Sequence, residues 1–237
     1  MNLAAVNRTI QALCSEVRSL GGDKREWRLL TEEELLYEAT VCVFGSQMIY
    51  EVAVAAADRA RAAGFLNCET IAGMHPDYEP RLVAVLTAPL HVEVGGVCRL
   101  MRPRFKNRLA VLLASTVRRI YDRGSSLQEI LSSATSARHA RALLVEAVSG
   151  FGPKQASLFL RRVGYCSELA VLDTHILDYL RMAHGIDQKP SSISRLTCYE
   201  RVEAQFQCIA REFGHAIGCV DLAMWVTMRV AKREVAL

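Results

Sequence analysis

The 237-residue chain predicts an all-α fold in which two helical lobes share one core, as a single domain over residues 1–237. Apolar residues recur three and four apart almost throughout, the spacing that turns one stripe of a helix toward a core. Strand-like alternation is confined to a weak run at His91–Val97. Apolar residues make up 51% of the chain and charged ones 23%, which excludes a disordered tail or a charge-laced coil and allows a sizeable core.

The elements follow in order. Val6, Ile10, Leu13 and Val17 mark an opening helix that ends at Gly21-Gly22. Thr31-Glu32-Glu33-Glu34 is a capping-box start, and its helix turns Leu35, Leu36, Ala39 and Val43 inward before Gly45-Ser46-Gln47 interrupts it. An Ala-rich helix runs from about Met48 to Ala63 and stops at Gly64, and Pro76, Pro80, Pro89 and Gly95-Gly96 cut the next stretch into short pieces. Helices are expected over Phe105–Tyr121, Ser126–Leu131, Ala137–Val148, Tyr199–Phe213 and Val220–Val230.

Several functional classes drop out early. The longest uninterrupted apolar run, Val52–Ala57, breaks at Asp58, far short of the ~18 residues that span a bilayer. The opening MNLAAVNRTI has no charged head followed by an apolar segment, so a cytoplasmic protein is expected. Eight cysteines without C-x-x-C spacing read as reduced thiols rather than a disulfide or metal framework. The net charge of +4 is uninformative, but its distribution is not: Val94–Tyr121 contains no acidic residue and seven basic ones, Arg99, Arg102, Arg104, Lys106, Arg108, Arg118 and Arg119. Such a surplus can neutralise several phosphates; a solvated basic face is the alternative.

The informative segment is Val148–Leu180, within a hairpin and catalytic segment of residues 137–184. Two helices meet at Ser149-Gly150-Phe151-Gly152-Pro153, where Gly152 frees the cap and Pro153 fits the first helical position. A helix–hairpin–helix of this kind offers unpaired N–H groups at a helix N-terminus to a phosphate, gripping a backbone without reading sequence. Lys154 stands in the first turn, where a cation opposes the helix dipole and stability does not explain it. The same field disfavours the ammonium form, the direction an amine nucleophile needs. Nineteen residues later Asp173 opens the next helix; taken alone it reads as the N-cap of that helix, a catalytic carboxylate being the alternative.

The segment resembles the helix-hairpin-helix DNA glycosylases and is most similar to the archaeal-type 8-oxoguanine DNA glycosylases/AP lyases. The resemblance rests on GFGPKQASLFLRRVGY, LAVLDTHIL, RPRFKNRLAVL, ATVCVFGSQM and VDLAMW, collinear over roughly residues 30 to 230. It implies two helical subdomains flanking a DNA-binding cleft and a base flipped out of the duplex. It further implies that Lys154 attacks C1′ of the extruded nucleotide, displaces the damaged base and then nicks the strand by β-elimination. Asp173 would stabilise positive charge on the sugar and help keep Lys154 deprotonated.

By the same resemblance, Gln47 would enter the gap left by the flipped base; a turn with an exposed glutamine is an equally good reading. Arg104, Lys106, Asn107 and Arg108 would contact the DNA backbone or steady the subdomain junction, with Gly150 and Gly152 as hairpin contacts. Met224 and Trp225 would line the base pocket, the alternative being core packing of the last helix; His175 packs or caps. The expected partner is double-stranded DNA containing a damaged base, bound by a monomer that needs no membrane, cofactor or metal.

The chain departs from the family's pattern at three places. Archaeal-type members end in a lysine that helps recognise oxidised guanine, whereas VTMRVAKREVAL continues here to Leu237. The proline common before the aspartate is missing from Gly164-Tyr165-Cys166-Ser167-Glu168, and the cysteines of the iron–sulfur branch are absent. The expected activity is excision of an oxidised purine, 8-oxoguanine, in base excision repair. The alternatives are the same chemistry on another modified base, such as one in foreign DNA, and a non-catalytic DNA-binding module.

Overall fold

Capping chemistry written into the sequence starts several of the helices. In the computed structural model, which describes residues 2–19, 26–46, 48–73 and 77–235, the Thr31 hydroxyl accepts from Glu34 N while Glu34 accepts from Thr31 N at 2.7 Å. This capping box opens α2 (Glu32–Gly45), which is buried over most of its length. Glu32 accepts hydrogen bonds from Leu127 N and Gln128 N at 2.6 and 3.1 Å, capping α7 (Leu127–Ser133) from a distance. The chain divides into two compact units, one of Trp27–Phe151 and one of Met1–Glu26 with Gly152–Leu237.

The Trp27–Phe151 unit is built on α2. Small residues Ala53, Ala56, Ala57 and Ala60 let α3 (Tyr50–Ala62) lie against it. The proline-cut stretch becomes α4 (Cys68–Gly73) and α5 (Tyr78–Thr87). Next comes a hairpin, β1 (Leu90–Val94) antiparallel to β2 (Val97–Met101), with Val94 opposite Val97. Its two-residue turn is Gly95-Gly96, both at positive φ, as a tight hairpin turn demands. The hairpin is the one sheet among the described residues, in a fold that is otherwise helical as expected. β1 carries the weak alternation noted in the sequence, but Val97 to Leu100 in β2 are all exposed, so no periodicity could reveal that strand. Helices α6 (Lys106–Ile120), α7 and α8 (Ala137–Ala147) complete the unit.

The second unit gathers α1 (Leu3–Ser19), α9 (Pro153–Arg162), α10 (Thr174–His184), α11 (Leu196–Glu212) and α12 (Ile217–Val235). Val6, Ile10 and Cys14 of α1 enter one core with Ile176, Tyr199, Phe206, Val220, Met224 and Met228. Asn7 accepts from the Tyr179 hydroxyl at 2.9 Å, and Gln11 donates to Phe213 O at 3.1 Å. The first helix is therefore a working part of this unit; its expected end at Gly21-Gly22 lies outside the described residues. The last helix outruns the expected Val220–Val230 at both ends. Most of VTMRVAKREVAL is its continuation: Met228 is fully buried and Lys232 pairs with Asp178. Gly218 lets α12 begin close to the loop before α10. Its N–H donates to Ser167 O at 3.1 Å, and a Cβ there would stand 2.8 Å from that oxygen.

Among the described residues no helix is long and apolar enough to cross a membrane. The unit boundary falls between Phe151 and Gly152. The segment 137–184 is thus shared, with α8 in one unit and α9 and α10 in the other.

Candidate active site

Helix α9 begins at Gly152, which has no side chain to cap it, followed by Pro153. The N–H groups of Gly152, Lys154 and Gln155 have no protein partner among the described residues. This leaves a positive helix end able to hold an anion. On the other side of the turn Gly150 has φ +90°, and a Cβ there would approach Leu112 to 3.0 Å, so both conformation and space require glycine. The Ser149 amide donates to the Thr116 hydroxyl at 3.0 Å, tying the end of α8 to α6.

Lys154 is half-buried in the first turn of α9 and makes no hydrogen bond or ion pair among the described residues. Asp173 is the N-cap of α10: its Oδ1 accepts from His175 N at 2.8 Å and from Ile176 N at 3.0 Å. Both readings of this residue therefore survive, because the second oxygen makes no hydrogen bond among the described residues. Lys154 and Asp173 belong to the same unit and each opens a helix, without a direct ion pair between them.

The approach to Asp173, Leu169–Leu172, is buried and non-helical, so its backbone polar groups need partners from elsewhere. Arg161 donates to Leu169 O at 3.1 Å and pairs with Asp221 at 2.8 Å. Asp221 accepts from Val171 N, and Glu203 from Ala170 N at 2.9 Å. The Tyr199 oxygen accepts from Leu172 N at 2.9 Å while its hydroxyl donates to Ala170 O at 2.8 Å. Burial pushes the Asp221 carboxyl up from the ordinary carboxylate range, against the pull of Arg161 and the Val171 amide. None of these four side chains had been singled out from the sequence. They come from three helices, and only the fold brings them together.

Met224 and Trp225 part company. Met224 is 0% exposed within the core, the packing that the sequence reading gave as the alternative to a place in a base pocket. Trp225 is half-buried, with Arg229 over its ring at 5.0 Å and the His175 ring edge-on at 6.3 Å. His175 Nδ1 is buried with no hydrogen-bond partner. Desolvation, followed by Lys232 and Arg229, holds the imidazole below its usual 6.5, against Asp173 and Asp178. The folded chain thus prefers neutral His175, and the stability this contributes is complete above about pH 6.5. It is lost as the pH falls through the lower, folded-state value. Urea midpoints at pH 7.5 and 5 should fall further in wild type than in His175→Gln.

The seven basic residues of Val94–Tyr121 all belong to the Trp27–Phe151 unit. Arg102, Pro103, Phe105, Lys106, Asn107 and Arg108 line one open concavity of about 660 Å³ with Leu86 and Thr87. Arg104 is exposed beside it in sequence, and Lys106 donates to the Thr87 hydroxyl at 2.8 Å. No acidic residue occupies the first turn of α6, so its cations sit at the positive end of the helix, where they serve a ligand better than the fold. Phe105, overlooked in the sequence, is 60% exposed and, at φ 56°, is the only non-glycine with positive φ among the described residues. Such a conformation carries strain of roughly 1 kcal/mol. Gln47 lies outside the described residues.

A helical protein with an uncapped, lysine-bearing helix after a glycine hairpin and an aspartate opening the next helix belongs to the helix-hairpin-helix class. The sequence signature of the Ogg-HhH family, 8-oxoguanine DNA glycosylase, matches residues 90–215, and the chain belongs to that family. It is 41% identical over 100 residues to the 8-oxoguanine DNA glycosylase/AP lyase of Korarchaeum cryptofilum, covering 42% of this chain and 46% of that one. It is 35% identical over 103 residues to that of Methanocaldococcus jannaschii, covering 44% and 49%. The chain spans about half the length of these curated relatives. The crystal structure of the 8-oxoguanine DNA glycosylase of Thermotoga maritima superposes with a TM-score of 0.67 at 24% identity, over 94% of this chain and 96% of that one. The M. jannaschii enzyme in complex with a 15mer DNA containing 8-oxoguanine gives 0.62 at 24% identity, over 94% and 88%.

Proposed function

We propose that the chain is a bifunctional DNA glycosylase/AP lyase that excises an oxidised purine, 8-oxoguanine, from double-stranded DNA. The observation that carries this is the pairing of an unpartnered lysine in the uncapped first turn of α9 with a firmly held aspartate at the start of α10. Lys154 Nζ attacks C1′ of the flipped nucleotide; the N–C1′ bond forms as the glycosidic bond breaks, and the base leaves with a proton. The sugar ring then opens: nitrogen forms the C=N bond of an imine as the C1′–O4′ bond breaks, O4′ takes up the proton that nitrogen gives up, and loss of a C2′ proton expels the 3′ phosphate, nicking the strand. Asp173 stabilises positive charge on the sugar as the bond to the base breaks. Gly150, Gly152 and the uncapped amides hold the DNA backbone, and Arg104, Lys106, Asn107 and Arg108 give the second basic surface. Phe105 and Trp225 offer faces on which bases stack, and Gln47 fills the vacated position. The protein acts as a monomer in the cytoplasm, without a cofactor.

Borohydride trapping on duplexes carrying 8-oxoguanine, other modified bases or an abasic site tests the reading. A covalent adduct with the 8-oxoguanine duplex is expected. An adduct with a different lesion alone would retarget the same chemistry, and binding without any adduct would leave a DNA-binding module. Duplex affinity should also fall about 100-fold between 50 and 200 mM salt if ~4 phosphates are neutralised. Arg102→Ala and Arg108→Ala should each reduce the salt slope by about one; an unchanged slope would turn this basic surface away from DNA.

A further inference from the structure

Among the described residues the strap Leu169–Leu172 pairs with no strand; Val171 O accepts from Asp173 N, and five further hydrogen bonds tie the strap to side chains from α9, α11 and α12. Two of the attachments begin on the helix that carries Lys154. Ser157 is hydrogen-bonded to Tyr199, and Arg161 reaches Leu169 O and Asp221. Residues three and seven positions apart share one side of a helix, so the strap hangs from the same stripe of α9 as Lys154. Stability alone does not call for this arrangement, because apolar residues replace a buried ion pair at little or no loss. Directional bonds do what apolar packing cannot: they fix the strap's register, and a slip of one residue would remove Asp173 from its cap.

We propose that Tyr199 and the Arg161–Asp221 pair are positioning residues for excision, holding the strap on α9 so that the Asp173 carboxylate keeps a set place in the frame that carries Lys154. The inference rests on the glycosylase reading above and assigns no contact with DNA to these side chains. Glu203, on the Ala170 amide, completes the anchorage.

Tyr199→Phe keeps the ring in the core and removes the oxygen that serves both Leu172 N and Ala170 O. Single-turnover excision of 8-oxoguanine, with enzyme in excess, should slow 10- to 100-fold, the scale of a misplacement of about 1 Å, while duplex affinity stays within about twofold. Arg161→Lys, which keeps the charge opposite Asp221 but loses the guanidinium fork, should slow it about 10-fold and serves if the tyrosine variant does not fold. The same changes made in Asp173→Asn separate positioning from general damage: each should then slow the residual rate less than twofold. Full additivity with Asp173→Asn, or wild-type rates in both single variants, would overturn the inference. A wild-type protein that releases no base from any lesion would instead overturn the functional reading beneath it.

Discussion

Lys154→Ala should give a protein that still binds an 8-oxoguanine duplex but forms no borohydride-stable adduct and releases base at least about 10³-fold more slowly. The size of the loss follows from chemistry, because the covalent path proposed for Lys154 disappears with its amine. Its selectivity follows from structure. The Lys154 side chain has no hydrogen-bond or ion-pair partner among the described residues, so its removal breaks no polar contact. Alanine is also a better helix former, and removing a cation from the first turn relieves the helix dipole, by about 0.3–1 kcal/mol. The melting temperature should therefore stay level or rise slightly as activity vanishes. This sets the substitution apart from nonspecific damage, which lowers both. An adduct of undiminished yield in Lys154→Ala would move the nucleophile elsewhere; a strong fall in stability would show that the lysine is structural.

Features built from near neighbours in sequence were legible before the fold was known. Thr31 and Glu34 are three residues apart, and their capping box formed as read. The Gly150–Lys154 turn and the aspartate that opens α10 are likewise local, and helix periodicity located α6 and α8 to within a residue or two. What remained hidden depends on distance along the chain or on the lack of a pattern. Asp221 lies sixty residues from Arg161, and a lone aspartate among apolar residues carries no sign that it will meet a strap amide. Glu203 looks like a surface residue of an amphipathic helix until burial shows otherwise. Met224 and Trp225 are adjacent, yet successive helical residues point about 100° apart, so one enters the core and the other its edge. The left-handed backbone at Phe105 has no local signal, since phenylalanine rarely adopts it.

Asp173→Asn separates the capping that this residue performs from the catalytic duty proposed for it. As an N-cap it offers Oδ1 to two amides, and asparagine caps about as well as aspartate, so the urea midpoint should move only slightly. In the proposed reaction it is a carboxylate beside a sugar that becomes positive, and there an amide would not replace it. Charge appears at C1′ only as the bond to the base breaks, so the loss falls on the chemical step and not on binding. Single-turnover excision should drop about 10²- to 10⁴-fold, in the range seen when a preorganised electrostatic group is removed, with duplex affinity nearly unchanged. Asp173→Ala adds the missing half of the comparison: it should lose the rate and also about 1 kcal/mol of stability as the cap is removed. An asparagine variant as active as wild type would reduce Asp173 to its capping role. If it lost stability and rate together, as the alanine variant should, the charge would matter to the fold of α10 rather than to the reaction. The predicted pattern, a stable protein that binds and does not cut, arises only if a single side chain serves the helix with one oxygen and the reaction with its charge.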